Sequence, residues 1–272
     1  MTTPRQNHAM VRGLRLAYLD FGGTGAPLLA LHGHFGRGRQ FARLAADLAP
    51  RHRVIAVDLR GHGRSDRGVD VTPDAYTADV AEFLRHLDLG PLPVLGHSMG
   101  GVIAYRVAAR HPELVSALIV EEGGALNRQP EIAHPVLDVR GWARRAPTPA
   151  ALRREVESHG IPDASYFLAS ACEYPDGWGF LFDHDDMTAS QQELIGDWWP
   201  DWLGARCPTL LVHGLASGVL PTAMARDMAR RRPGTVLREF ADCGHWVHDD
   251  DPAGFAEAVR GFLSSAVPTS TL

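Results

Sequence analysis

Five residues, Gly96-His97-Ser98-Met99-Gly100, hold a serine between two glycines, each two positions away. A serine hydroxyl becomes a nucleophile when a base within hydrogen-bond reach takes its proton. The spacing alone recurs by chance, so its surroundings decide its meaning. Val94 and Leu95 read as a buried strand running into Gly96, and Val102 to Ala109 repeats apolar residues at helical spacing. A strand, a tight turn and a helix in that order would lift the hydroxyl clear of a sheet. The glycines would let neighbouring backbones approach, and the helix start would favour a developing negative charge.

Of the 14 histidines, His245 is the best base. It sits in Asp242-Cys-Gly-His-Trp246, after the last strand-like run and before the last helix. A sheet edge of this kind gathers functional loops. His248 is the nearby alternative, further into the loop.

The elements that must position this pair alternate strand and helix, as in a mostly parallel sheet with crossover helices. Strands are expected at Leu14 to Phe21, Leu28 to Leu31, Val54 to Val57, Val94 to Leu95, Ala117 to Val120, Thr209 to Val212 and Val236 to Phe240. Helices are expected at Gln40 to Leu48, Tyr76 to Leu87, Val102 to Ala109, Thr222 to Arg231 and Pro252 to Leu263. The rhythm breaks between Gly123 and Gly204, where Ala150 to Ser158 and other helix-like stretches suggest a helical insertion. The expected division is a core of residues 1–122 and 205–272 with the insertion at 123–204. The tail after Ser264 is expected to be loose.

The 272 residues suffice for one such domain, and 45% hydrophobic with 22% charged residues is ordinary for a globular protein. A net charge of -5 provides no basic field for phosphates, which argues against nucleic acid as a partner. Three scattered cysteines make no disulfide framework, and the start MTTPRQNHAMVRGLRLAY lacks a signal-like apolar run. A cytoplasmic protein without a membrane span, acting on a small molecule, is the expectation; the oligomeric state is open. No cofactor motif occurs, and Asp183-His-Asp-Asp-Met187 reads as a solvated loop or helix cap rather than a metal site.

Leu31-His-Gly-His-Phe-Gly36, Val57 to Ser65, Gly96 to Gly101, Leu211-Val-His-Gly214 and Gly244-His-Trp246 together resemble the α/β-hydrolase superfamily. The resemblance implies an eight-stranded, mostly parallel sheet flanked by helices, with a helical cap inserted after strand six. It also implies an oxyanion hole from the backbone N–H groups of His34 and Met99. The His34 side chain reads as pocket-lining without chemistry, His97 as structural, and the charged residues of Arg60 to Ser65 as framework. Aromatic residues crowd the insertion, and Phe35, Trp198, Trp199 and Trp246 are candidates for lining a substrate pocket.

The pattern fails at the triad acid. The superfamily mostly places an aspartate after the seventh strand, where this chain reads His213-Gly-Leu-Ala-Ser-Gly-Val-Leu-Pro221, with Ser217 at the expected position. Removing the acid's charge from such a triad costs on the order of 10⁴ in kcat in proteases. Glu122, closing the sixth strand in Ile119-Val-Glu-Glu-Gly-Gly124, is the preferred substitute, as in haloalkane dehalogenases. Glu121 and the absence of any working acid stay open, and strand alternation forbids both glutamates from facing one site.

Ser98, His245 and Glu122 would then hydrolyse an ester, thioester or lactone of a small, largely apolar substrate through an acyl-enzyme. Two other readings remain. Carbon–carbon bond hydrolysis uses the same residues, and a ligand-binding protein with weakened catalysis would explain the missing aspartate.

Overall fold

The computed structural model describes residues 4–67 and 70–266. Its strands are β1 (Arg5–Val11), β2 (Leu14–Asp20), β3 (Ala26–Leu31), β4 (His52–Val57), β5 (Leu92–His97), β6 (Val115–Glu121), β7 (Leu126–Asn127), β8 (Ala171–Tyr174), β9 (Gly177–Phe180), β10 (Gly196–Asp197), β11 (Thr209–Gly214) and β12 (Thr235–Phe240). Its helices are α1 (Ala42–Leu48), α2 (Pro73–Leu87), α3 (Met99–Arg110), α4 (Pro149–Ser158), α5 (Ser165–Leu168), α6 (His184–Glu193), α7 (Trp199–Gly204), α8 (Thr222–Arg231), α9 (Val247–Asp250) and α10 (Pro252–Ala266). A 3₁₀ turn, Gly38–Phe41, precedes α1 and takes the first residues expected to be helical.

Eight strands form the main sheet in the order β1-β2-β4-β3-β5-β6-β11-β12. The pairs from β4 to β12 are parallel, and β2 joins β1 and β4 antiparallel. Strand residues alternate between two apolar layers, as a pleat covered on both faces requires. Leu29, Leu31, Val94, Leu118 and Val120 pack towards α2, α3 and α8. Leu28, Ala30, Leu95, Ala117 and Ile119 pack towards α1 and α10. Fully burying one such side chain contributes roughly 1.5–3 kcal/mol, which pins the register of each strand and hence its end residue.

Local chemistry sets the helix starts. Thr72 and Thr148 each cap a helix with the side-chain oxygen, accepting from Ala75 N and Ala151 N, and each is followed by proline at the first position. Asp183 accepts from Asp185 N and Asp186 N at the start of α6, so this acidic run is a helix cap. The loop after β4 is framework: Arg60 donates to both oxygens of Asp79 at 2.6 and 2.7 Å, and Asp58 accepts from Gly38 N and Arg64 N.

Between Glu121 and Thr209 none of the described residues joins the main sheet. This stretch is not purely helical: α4 to α7 share it with the hairpin β8/β9 and the short pair β7/β10. It has its own apolar core, including Trp142, Leu152, Phe167, Phe180 and Phe182, with Phe35 of the sheet domain wedged into it. The helix α10 runs to Ala266, and the rest of the tail lies outside the described residues. Among the described residues no helix is long and apolar enough to cross a membrane.

Candidate active site

Ser98 occupies the turn between β5 and α3 with φ 53° and ψ -120°, a left-handed conformation that an L side chain adopts only when held there. The hold is the close packing of the flanking glycines. A Cβ on Gly96 would lie 2.2 Å from Gly100 O, and one on Gly100 would lie 2.4 Å from Leu31 O. Met99 opens α3, so its N–H belongs to the first turn, which has no intrahelical acceptor.

Glu122 follows β6 and is also left-handed, at φ 56°. The turn carries its carboxylate across the end of β11, to within 3.2 Å of His245 Nδ1. The same carboxylate accepts from His213 Nδ1 at 2.8 Å, Gly214 N at 2.9 Å and Ser217 Oγ at 2.5 Å. Burial alone would raise its pKa; the hydrogen bonds from His213, His245 and Ser217, with the charge of His245, outweigh burial and hold it at about 2. Ser217, at the position where an aspartate was expected, thus donates to the glutamate. His213 is oriented from its far side by Thr222 Oγ1 at 2.8 Å from Nε2.

The neighbouring Glu121 points to the opposite face. It accepts from His248 N at 2.9 Å and from His248 Nδ1 at 2.8 Å, fully buried. Burial disfavours the charged imidazole of His248, but Glu121 beside it raises its pKa. His97 Nε2 donates to the backbone oxygen of His245 at 2.9 Å, tying the histidine loop to β5. His97, Glu121 and His248 lie close enough to share an ion. The named hydrogen bonds occupy Glu121, His97 Nε2 and His248 Nδ1, while His248 Nε2 is buried without a hydrogen-bond partner among the described residues.

Ser98, His245 and Glu122 line one cavity of about 210 Å³ with His34, Met99, Phe35 and Trp246. Its apolar walls include Val102, Leu126, Ile132, Leu137, Ile161 and Leu194. Trp198 and Trp199 are not in the lining, which corrects the expectation from their position in the insertion. Trp198 lies under the Arg106 guanidinium at 4.4 Å and donates to Leu194 O, while Trp199 stacks on Arg231 at 3.8 Å. These rings fasten the insertion to the sheet domain through cation–π contacts.

Residues 28–258 match the model of the alpha/beta hydrolase family. The chain belongs to that family. It is therefore a hydrolase. The sn-1-specific diacylglycerol lipase ABHD11 of Danio rerio is 28% identical to this hydrolase over 268 residues, 92% of this chain and 83% of that protein. The crystal structure of E-2-(acetamidomethylene)succinate hydrolase superposes with a TM-score of 0.83 at 23% identity, covering 96% of this chain and 100% of that one. A meta-cleavage product hydrolase from Pseudomonas fluorescens IP01 gives 0.75 at 20% identity, covering 96% and 98%. Both likenesses concern the fold.

Proposed function

We propose that this hydrolase cleaves an ester, thioester or lactone of a small, largely apolar substrate, with Ser98 as nucleophile, His245 as base and Glu122 as the acid of the triad. The observation that carries the reading is the Glu122 carboxylate 3.2 Å from His245 Nδ1, in the cavity that also holds Ser98. Glu122 accepts the Nδ1–H, which fixes the tautomer with a bare Nε2 and stabilises the imidazolium that forms.

In this mechanism Ser98 Oγ bonds to the substrate carbonyl carbon as its proton passes to His245 Nε2. The carbonyl oxygen becomes an oxyanion held by the N–H groups of His34 and Met99, at the positive end of α3. Collapse breaks the bond to the leaving group, which takes the proton from His245. Water then attacks the acyl-enzyme, giving its proton to His245, and Ser98 recovers a proton as the acid product departs.

The lining supports an uncharged acyl group. Among the described residues it contains no Lys or Arg, and the Glu122 carboxylate is already engaged. At about 210 Å³ the cavity lies below the roughly 300–1,000 Å³ of drug-sized pockets, favouring short acyl chains. Residues 123–204 act as the cap that closes this space.

A fluorophosphonate probe, with a panel of p-nitrophenyl esters, thioesters and lactones, tests the reading. Labelling at Ser98 and turnover of short esters are expected. An unlabelled Ser98 in folded protein would overturn it.

A further inference from the structure

Helix α6 of the insertion brings Ser190, almost fully buried, against the sheet domain. Its Oγ lies 3.0 Å from His34 Nε2, 3.1 Å from Tyr76 Oη and 4.0 Å from Met99 Sδ. His34 and Met99 are the two residues whose N–H groups form the oxyanion hole in the reading above, on which this inference rests. One hydroxyl from the insertion therefore touches the side chains of both residues that supply those N–H groups.

The order of the hydrogen bonds follows from the phenol. Tyr76 is fully enclosed, burial raises its pKa, and Ser190 is the hydrogen-bond partner of its oxygen among the described residues. The phenol donates to Ser190 Oγ, and of the two acceptors left for the serine proton, His34 Nε2 at 3.0 Å is far closer than Met99 Sδ at 4.0 Å and takes it. Burial keeps His34 neutral, pushing its pKa to about 3. Accepting the serine proton at Nε2, the neutral ring carries its own on Nδ1.

The loop that this bond restrains needs restraint. Phe35, the next residue, is left-handed at φ 67°, a conformation that a bulky side chain abandons unless held. The seating of α6 has other anchors: Gln191 accepts from Leu137 N at 2.8 Å and donates to Leu137 O at 3.0 Å, and Met187 is fully buried in the insertion core. The Ser190 hydroxyl is thus one of several anchors of α6, and it is the one that reaches the His34 loop.

We propose that Ser190 is a positioning residue: its hydroxyl latches the His34 loop beside Met99, so that the oxyanion hole is complete only with the insertion seated. Wild-type and Ser190→Ala proteins, as full chains, would be compared on p-nitrophenyl butyrate and with two inhibitors. An alkylboronic acid forms a tetrahedral adduct on Ser98 and uses the hole, whereas butanol, which carries no oxyanion, occupies the acyl space without it.

Losing a hole donor outright costs about 10²–10³ in kcat, so a misplaced one should cost about tenfold, with KM within about twofold. Boronic acid affinity should fall by a similar factor and butanol affinity should stay near wild type, while Tm should drop by no more than several degrees as Tyr76 loses its acceptor. Full kcat with unchanged boronic acid affinity would overturn the proposal, as would a lowered Tm with unchanged kinetics. Should Ser190→Ala fail to fold, Ser190→Cys keeps the side chain's shape but replaces the hydroxyl with a much weaker donor to His34, and the same two readings decide. Wild type that takes no probe on Ser98 would instead sink the serine-hydrolase reading, so the two failures are distinguishable.

Discussion

Glu121 and Glu122 are adjacent in sequence, both buried and both hydrogen-bonded to a histidine, yet they serve opposite sides of β6. Glu121 obeys the strand's alternation: it falls on the face of Ala117 and Ile119 and meets His248 among the residues packed by α10. Glu122 leaves the strand through a left-handed turn and reaches His245 at the cavity. The chemistry of the two pairs is alike. What separates them is access: His245 borders an open space shared with Ser98, and His248 is sealed. A buried carboxylate–imidazole pair becomes machinery only where the imidazole's other nitrogen can meet a substrate.

Four substitutions or titrations sharpen that contrast. The largest effect is expected at Ser98→Ala, which removes the atom proposed to bond to substrate. Hydrolysis and fluorophosphonate labelling should both vanish with Tm retained, and residual labelling at the wild-type rate would move the nucleophile elsewhere. Glu121→Gln should leave kcat within about threefold but weaken the fold, because breaking a buried ion pair costs about 3–5 kcal/mol and Gln retains only part of the bonding. A Tm lower by several degrees in thermal denaturation is expected. Lost turnover at unchanged Tm would make Glu121 part of the machinery.

A smaller effect concerns pH. Glu122 sits at about 2 in the folded protein, below the ordinary 4.5. A depressed carboxylate stabilises the fold fully above its unfolded pKa, and loses that contribution as pH falls through the folded value. The full amount is at most about 3 kcal/mol. Urea unfolding between pH 5 and 2.5 should therefore show a steeper loss in wild type than in Glu122→Gln. Parallel curves would mean that the carboxylate is not held as described.

Much of this arrangement was legible in the sequence. The parallel sheet was readable because strands buried on both faces are short apolar runs, and the turn at Ser98 because two glycines must pass close to other backbone. The edge strand Arg5–Val11 escaped, since only Ala9 and Val11 are buried in a run that otherwise carries Arg5, Gln6, Asn7 and His8. The insertion's strands escaped because they are two to four residues long. Trp198 and Trp199 misled because their partners, Arg106 and Arg231, lie in distant helices and no local pattern announces them. His213 and Ser190 were invisible for the same reason: each bonds to a residue about 90 or more positions away.

The account stands or falls on Glu122 as the acid that replaces the one missing at Ser217, and kcat of Glu122→Gln measures this most directly. The substitution keeps the shape and removes the charge, so kcat on a short p-nitrophenyl ester should fall by roughly two or more powers of ten, by analogy with triads that lose their acid. Glu121→Gln, measured beside it, should not approach that loss. A Glu122→Gln enzyme with wild-type kcat would contradict the account.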